Sequence, residues 1–169
     1  MHEDVVVLSP ITIIGLSTIT NNQQEATEEG LIVPLSHQFQ ERGLAKDLGD
    51  CLVDERVITL YTDYHHGESG DYTYVIGHQV HDPQDMPEGC EIFDIPGGHY
   101  LRFPTERGVL GDVLPAAWQT IWRKTQEGSL GVERAFSFDF EFHNYDSDQM
   151  HDAQVDIYLS VQDAPKESY

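Results

Sequence analysis

The chain has 169 residues, and its 30 aspartate and glutamate residues outnumber 9 lysine and arginine residues, giving a formal net charge of −21. This charge repels phosphate backbones and anionic lipid headgroups, so we expect no direct binding to nucleic acid and none to a membrane surface. It favours positively charged partners. Hydrophobic residues make up 39% of the chain, which supports a folded core and excludes a disordered protein.

The first residues and the cysteines predict a cytoplasmic protein. The start, MHEDVVVLSP, carries acidic residues where a signal peptide needs basic ones, and its apolar run is interrupted at Ser9–Pro10. No apolar run reaches the length of a membrane span. Cys51 and Cys90 match no metal or redox spacing, so we expect reduced thiols. His78 and His81 would point to opposite faces of a strand, so we predict no metal site and no cofactor.

The first half of the chain predicts one long strand, a helix and a hairpin. β-branched residues dominate the first strand, which bends at Pro10, and Gly15 within it indicates a bulge or a close backbone approach. A polar turn separates this strand from apolar residues at helical spacing, and two alternating segments follow. The predicted ranges are residues 5–21 (strand), 31–44 (helix), 56–64 (strand) and 71–81 (strand).

The second half repeats this order after a loop over residues 82–89. Pro96–Gly97–Gly98 divides the next strand region in two, and a broad apolar face predicts a helix. The predicted ranges are residues 91–104 (strands), 110–124 (helix), 136–145 (strand), 144–149 (turn), 153–161 (strand) and 162–169 (loose tail). We therefore expect one α+β domain over residues 1–169, a pseudo-symmetric duplication of a strand–helix–strand–strand unit with antiparallel sheets and two main helices. The repeats would cover about residues 1–85 and 90–165, with a ligand cleft between them.

The most informative segment is FSFDFEFHNY, residues 136–145, because it alternates without a break. One predicted face carries Phe136, Phe138, Phe140 and Phe142, and the other carries Ser137, Asp139, Glu141 and His143. Four rings need burial, so this strand should be central to a sheet. Glu141 sits in mid-strand, where a carboxylate is unfavourable unless it is solvated or paired. Either this face is an ordinary exposed one, or Glu141 lies at the floor of an aromatic pocket.

Several segments occur in a familiar order along nearly the whole chain. They are ITIIGLSTITNN, IVPLSHQF, YTDY, YTYVIG, IPGGHYLRFPTERG before a tryptophan-bearing helix, and DFEF. In this order they resemble the GyrI-like family, the effector-binding domains of bacterial multidrug-responsive transcription activators and their stand-alone relatives. Two positions depart from the family: His143 replaces a common aromatic residue, and Ser36–His37 stands where a Trp or Phe is frequent. No helix-turn-helix precedes the domain, so a stand-alone effector domain is expected.

The resemblance implies a pocket for lipophilic organic cations with Glu141 as the buried counter-charge. General physics supports this implication, because a delocalised cation loses little hydration on entering a pocket where a carboxylate is poorly solvated. Aromatic faces would add roughly 0.5–2 kcal/mol each through cation–π contacts. Plain core packing explains each aromatic residue equally well. The candidate ligand-binding residues are Glu141, Tyr61, Tyr74, Trp118, Trp122 and His143.

Three functions remain open at this point. The favoured one is a binding module for small hydrophobic cations, either a sensor that signals to a transcription or gyrase-type protein partner or a sequestering protein, with no catalytic residues. The second is a hydrolase, since some GyrI-like proteins are reported as hydrolases; Glu141 would be the general base, aided by His143 or Tyr61. The third is a protein-interaction or inhibitor domain whose acidic surface mimics nucleic acid.

Overall fold

The structure, a computed structural model, describes residues 3–144 and 150–162. These residues contain eight strands: β1 (Asp4–Leu8), β2 (Ile11–Thr20), β3 (Val57–Thr62), β4 (Tyr72–Val80), β5 (Glu91–Ile95), β6 (Gly98–Pro104), β7 (Arg134–His143) and β8 (Asp156–Val161). They also contain four α-helices: α1 (Asn22–Glu25), α2 (Ile32–Arg42), α3 (Leu44–Leu48) and α4 (Leu110–Glu127). Over the same two ranges, no helix combines the length and the apolar character needed to cross a membrane.

The strands form one antiparallel sheet in the order β1-β6-β8-β7-β3-β4-β2-β5. Its edge strands are ends of longer bent segments, because β1 continues into β2 and β5 continues into β6. Side chains from all eight strands meet in a single apolar cluster, so the sheet must curve around it. Fully buried members of this cluster include Ile13, Ile58, Leu60, Val75 and Phe140.

Two helical layers cover the outside of this curved sheet. Helices α2 and α3 pack on β2, β3 and β4 through the buried residues Leu35, Phe39, Leu44 and Leu48. Helix α4 packs on β6 and β8 through Ala117, Trp118 and Ile121. The central strands β3 and β7 lie between these two layers. This arrangement leaves a space over the middle of the sheet, and the candidate site lies there.

The α+β antiparallel architecture is confirmed, and both halves show the order strand–helix–strand–strand, as β2-α2-β3-β4 and β6-α4-β7-β8. The repeat boundaries near residues 85 and 90 stay a prediction. The predicted helix over residues 31–44 is wrong at its end, because Gly43 adopts φ 64° and ends α2 before α3 begins. The last strand begins at Asp156, three residues later than predicted. Residues 145–149 of the predicted turn (144–149) and residues 163–169 of the predicted tail (162–169) lie outside the described residues.

The close backbone approach predicted at Gly15 is confirmed. Gly15 of β2 pairs with Gly77 of β4, and a Cβ atom on Gly15 would lie 2.3 Å from the carbonyl oxygen of Ile76. A Cβ atom on Gly77 would lie 2.2 Å from the carbonyl oxygen of Ile14. Only glycine at both positions allows these two strands to pair at this distance.

Candidate functional site

The strand pair β3–β7 directs polar side chains toward the space between α2 and α4. Thr59 pairs with Glu141 and Tyr61 pairs with Asp139 across the two strands. The predicted alternation is confirmed between Phe138 and His143, since the phenylalanine rings pack in the inner cluster while the polar residues face the helices. This geometry follows from the period of two along a strand.

Phe136 does not follow the predicted pattern, so its assignment to the face of the other three phenylalanines is wrong. Its φ angle is 53°, and the β7–β8 register shifts between Arg134 and Asp139. This irregularity turns the Phe136 ring outward, 4.3 Å from the guanidinium carbon of Arg134 and edge-on to Tyr64. A bulge of this kind redirects a side chain to the other side of a sheet.

Glu141 is a buried carboxylate, only 1% exposed, so the alternative of an ordinary solvated face is wrong at this residue. Its Oε1 accepts a 2.6 Å hydrogen bond from the Thr59 hydroxyl and lies 2.7 Å from His143 Nε2. Its Oε2 accepts from Trp118 Nε1 at 2.6 Å and from the Tyr61 hydroxyl at 3.4 Å. Because an ionised carboxylate only accepts, His143 must donate through Nε2.

The hydrogen bonds around Glu141 keep it charged. Burial alone would raise the pKa of this carboxyl group, but the donors His143, Thr59 and Trp118 outweigh burial and lower it. Burial, together with the neighbouring charge of Glu141, also raises the pKa of the Tyr61 phenol well above its usual value. The site therefore contains an anionic Glu141 beside a neutral Tyr61.

A second buried ionic cluster lies two residues along β7. Asp139 accepts from Arg134 Nη2 at 2.7 Å, from the Tyr64 hydroxyl at 2.7 Å and from the backbone N–H of Ser160 at 3.0 Å. Arg134 Nη1 donates to Glu68 at 2.6 Å. Sequence reasoning missed Arg134 and Glu68, because a single arginine at a strand start and a glutamate in a polar turn carry no pattern.

An aromatic pocket of about 200 Å³ lies between α2 and α4 and is partly open to solvent. A cavity of about 150 Å³ is already large enough for benzene, so this pocket has room for a small aromatic ligand. Its aromatic walls are Tyr61, Tyr64, Tyr72, Trp118 and Trp122. Its other lining residues are Ile32, Leu114 and Pro115, which are apolar, and Asn22, Glu25, Glu68 and Arg134, which are polar or charged.

Three of the six predicted ligand-binding residues, Tyr61, Trp118 and Trp122, line this pocket. Glu141 is not among its lining residues, and it lies directly behind the wall that Tyr61 and Trp118 form. His143 lies on the far side of Glu141 and borders a second, polar cavity of about 320 Å³. Tyr74 packs beside Tyr61, with ring centroids 5.3 Å apart, and is only 3% exposed.

Glu25 was also missed by sequence reasoning, although it lies on the pocket wall. Its carboxylate accepts hydrogen bonds from the backbone N–H groups of Leu31 at 2.8 Å and Ile32 at 3.1 Å, and from the Thr20 hydroxyl at 2.5 Å. It therefore caps the start of α2, where the helix dipole favours negative charge. An acidic residue shortly before a predicted helix start is the signal that indicates such a role.

The sequence matches the family model of Cass2, the integron-associated effector binding protein, over residues 4–161. It is 29% identical over 147 residues to "Putative transcriptional regulator protein YobU" of Bacillus subtilis (strain 168), covering 87% of this chain and 89% of that protein. Its fold is similar to that of an integron cassette protein from the mobile metagenome of Vibrio cholerae, with a TM-score of 0.75, 22% identity and 95% of both chains covered. It is also similar to SAV2435 in its structure bound to tetraphenylphosphonium, with a TM-score of 0.74, 14% identity and coverage of 96% of this chain and 94% of that one.

The two structural likenesses establish the fold, and the match over residues 4–161 establishes the family. They also confirm the resemblance to GyrI-like effector-binding domains that the ordered segments indicated. The chain is a member of the integron-associated effector binding protein family, within the GyrI-like effector-binding domains.

Proposed function

We propose that this domain binds hydrophobic organic cations in the pocket between α2 and α4, with Glu141 as the buried counter-charge. The observation that carries the proposal is the 2.6 Å bond between Glu141 and the indole of Trp118, whose ring lines the pocket. Among the described residues, the ion-pair partner of Glu141 is His143, and no lysine or arginine neutralises it. A cation in the pocket would add a permanent positive charge near the Glu141–His143 pair.

The Coulomb attraction between Glu141 and a bound cation is large enough for ligand charge, as well as ligand shape, to determine selectivity. A cation about 6 Å from the carboxylate gains roughly 2.8 kcal/mol at an effective dielectric constant of about 20, or about a hundredfold in affinity. Five aromatic side chains line the pocket and can add cation–π contacts of about 0.5–2 kcal/mol each. Strongly hydrated cations lose more solvation on entry, so quaternary or delocalised cations are favoured.

The relatives support this ligand class and a role in regulation. SAV2435, which shares the fold, has been solved with tetraphenylphosphonium, a lipophilic cation. YobU carries the name of a transcriptional regulator, which supports a sensing role over simple sequestration. We propose that the domain is a sensor, in which the bound cation changes how the domain binds a transcription-regulating partner.

The hydrolase alternative has weaker support from the geometry. A general base operates best when its pKa lies near the working pH, which for a carboxylate requires a raised value. The pKa of Glu141 is lowered by its donors, although burial opposes this. Tight hydrogen bonds from Thr59 and Trp118 also occupy both carboxylate oxygens. These features suit a permanent counter-charge.

The test is a calorimetric titration of the wild-type protein with matched ligands. Phenyltrimethylammonium and tert-butylbenzene differ only in a charged nitrogen against a neutral carbon, and tetraphenylphosphonium serves as a larger cation. We expect both cations to bind, and the small cation to bind at least about tenfold tighter than its neutral isostere. Tetramethylammonium, which lacks the ring, should bind weakly because it cannot fill the aromatic pocket. Equal affinity for the cation and its isostere would overturn the proposal.

A further inference from the structure

We propose that Glu68 is a second counter-charge in the same pocket, and that the preferred ligands carry two cationic centres joined by an aromatic spacer. This inference rests on the proposed function, since it concerns the ligand class of that pocket. At the end of the pocket formed by Arg134 the charges are unequal, because the carboxylates of Glu68 and Asp139 share one guanidinium group.

Asp139 is the carboxylate that neutralises Arg134. It is fully buried, and its two oxygens also accept hydrogen bonds from Tyr64 and from the backbone N–H of Ser160. A buried charge is tolerated when it is paired and its remaining lone pairs are hydrogen-bonded, and Asp139 meets both conditions. The positive charge of Arg134 is therefore already balanced within the protein.

Glu68 then remains as a surplus negative charge on the pocket wall. Its side chain is 15% exposed, against 2% for Arg134, so it lies nearer to solvent and to an incoming ligand. Burial raises its pKa in spite of the adjacent guanidinium, which indicates incomplete compensation of its charge. Among the described residues, Arg134 is its only ion-pair partner.

Glu25 also lines the pocket, but it is not a comparable surplus charge. The N–H groups of Leu31 and Ile32 at the start of α2 donate to its carboxylate, and a helix N-terminus carries about half a positive charge. The pocket therefore presents two carboxylates that no lysine or arginine in the described part of the chain neutralises fully: Glu141 behind its aromatic wall, paired with His143, and Glu68 beside the Arg134 that it shares with Asp139.

The separation of these two carboxylates sets the length of the ligand. Glu141 and Asp139 lie two residues apart on β7, which corresponds to about 7 Å. Glu68 lies beyond the Arg134 guanidinium that bridges it to Asp139. The two charges are thus on the order of 10 Å apart. One benzene ring between two quaternary ammonium groups fits between carboxylates at this separation and can contact the tyrosine and tryptophan walls.

The experiment compares 1,4-bis(trimethylammoniomethyl)benzene with (4-methylbenzyl)trimethylammonium, which has the same ring and one charge. Affinities are measured by calorimetry at about pH 8 for the wild type, Glu68→Gln and Glu88→Gln. Gln at position 68 keeps an acceptor for Arg134, while Glu88 lies exposed on the β4–β5 loop and controls for net charge. Thermal unfolding of each variant checks that it is folded.

In the wild type we expect the dication to bind at least roughly fivefold tighter, because a symmetric ligand with two equivalent ends gains only about twofold by statistics. Glu68→Gln should reduce the advantage to about twofold by weakening the dication more than the monocation, while Glu88→Gln should keep the full advantage. Two results would overturn this inference but leave the proposed function intact: a dication advantage of only about twofold in the wild type, or a full advantage that persists in Glu68→Gln. If neither compound binds the wild type, this inference and the proposed function both fail.

Discussion

The hydrogen bond from Trp118 to Glu141 should contribute strongly to the stability of the folded chain. Trp118→Phe keeps a ring on α4 but removes the N–H that lies 2.6 Å from Glu141 Oε2, leaving that oxygen only the Tyr61 hydroxyl at 3.4 Å. A hydrogen bond to a charged group contributes roughly 1.5–3 kcal/mol, and the smaller ring loses about 1 kcal/mol of burial. We therefore expect the free energy of unfolding to fall by about 3 kcal/mol.

Trp122→Phe is the matched control for this prediction. Trp122 lies one turn further along α4, its ring centroid is 6.3 Å from that of Trp118, and it is not one of the donors to Glu141. It should lose only about 1 kcal/mol of burial. Urea unfolding followed by far-ultraviolet circular dichroism measures both variants without relying on tryptophan fluorescence. Equal losses in the two variants would refute the reasoning.

Three further predictions concern stability. Gly15→Ala would place a Cβ atom 2.3 Å from Ile76 O and should lower the free energy of unfolding by about 2 kcal/mol or more. Gly111→Ala, whose Cβ atom would have no other atom within 4 Å, should instead stabilise α4 by about 0.5–1 kcal/mol. Thermal unfolding that ranks the two variants the other way would contradict this prediction. Arg134→Met leaves Asp139 buried without its cation and should lower the free energy of unfolding by roughly 3–5 kcal/mol. Arg107→Met is the control, because its pair with Asp152 is exposed and its loss should cost less than about 1 kcal/mol. Similar denaturation midpoints for the two variants would argue against a buried pair. Burial lowers the pKa of His78, so the unfolded chain binds a proton at this residue more readily than the folded chain does. The free energy of unfolding should therefore fall as the pH drops below about 6.5, by at most about 1.4 kcal/mol per pH unit. His78→Gln should remove this part of the pH dependence, and an unchanged profile would exclude His78 as its source.

The central strand could be predicted from the sequence because alternation is a local property. Residues 138–143 place Glu141 opposite the phenylalanine rings whatever the rest of the chain does. The departure of Phe136 could not be predicted, since it depends on how β7 pairs with β8 around the register shift. Gly43 likewise ends α2 through its own backbone conformation, while the helical periodicity runs on into α3.

The candidate site was only partly predictable for a similar reason. Glu141 stands out because a carboxylate between two phenylalanines is unusual, but Glu68 and Arg134 are 66 positions apart and meet only after folding. Tyr72 and Tyr74 share one face of β4, so the sequence does not distinguish the pocket wall from the residue behind it. The structure places Tyr72 in the wall and Tyr74 against Tyr61.

The counter-charge role of Glu141 is tested most directly by the affinity of phenyltrimethylammonium for Glu141→Gln. Titrations at about pH 8 would include the wild type, this variant and Glu88→Gln, with tert-butylbenzene as the neutral probe. We predict that Glu141→Gln alone weakens cation binding at least about tenfold, or about 1.4 kcal/mol, while the neutral probe binds all three proteins equally. Cation affinity that is unchanged in Glu141→Gln would contradict the account.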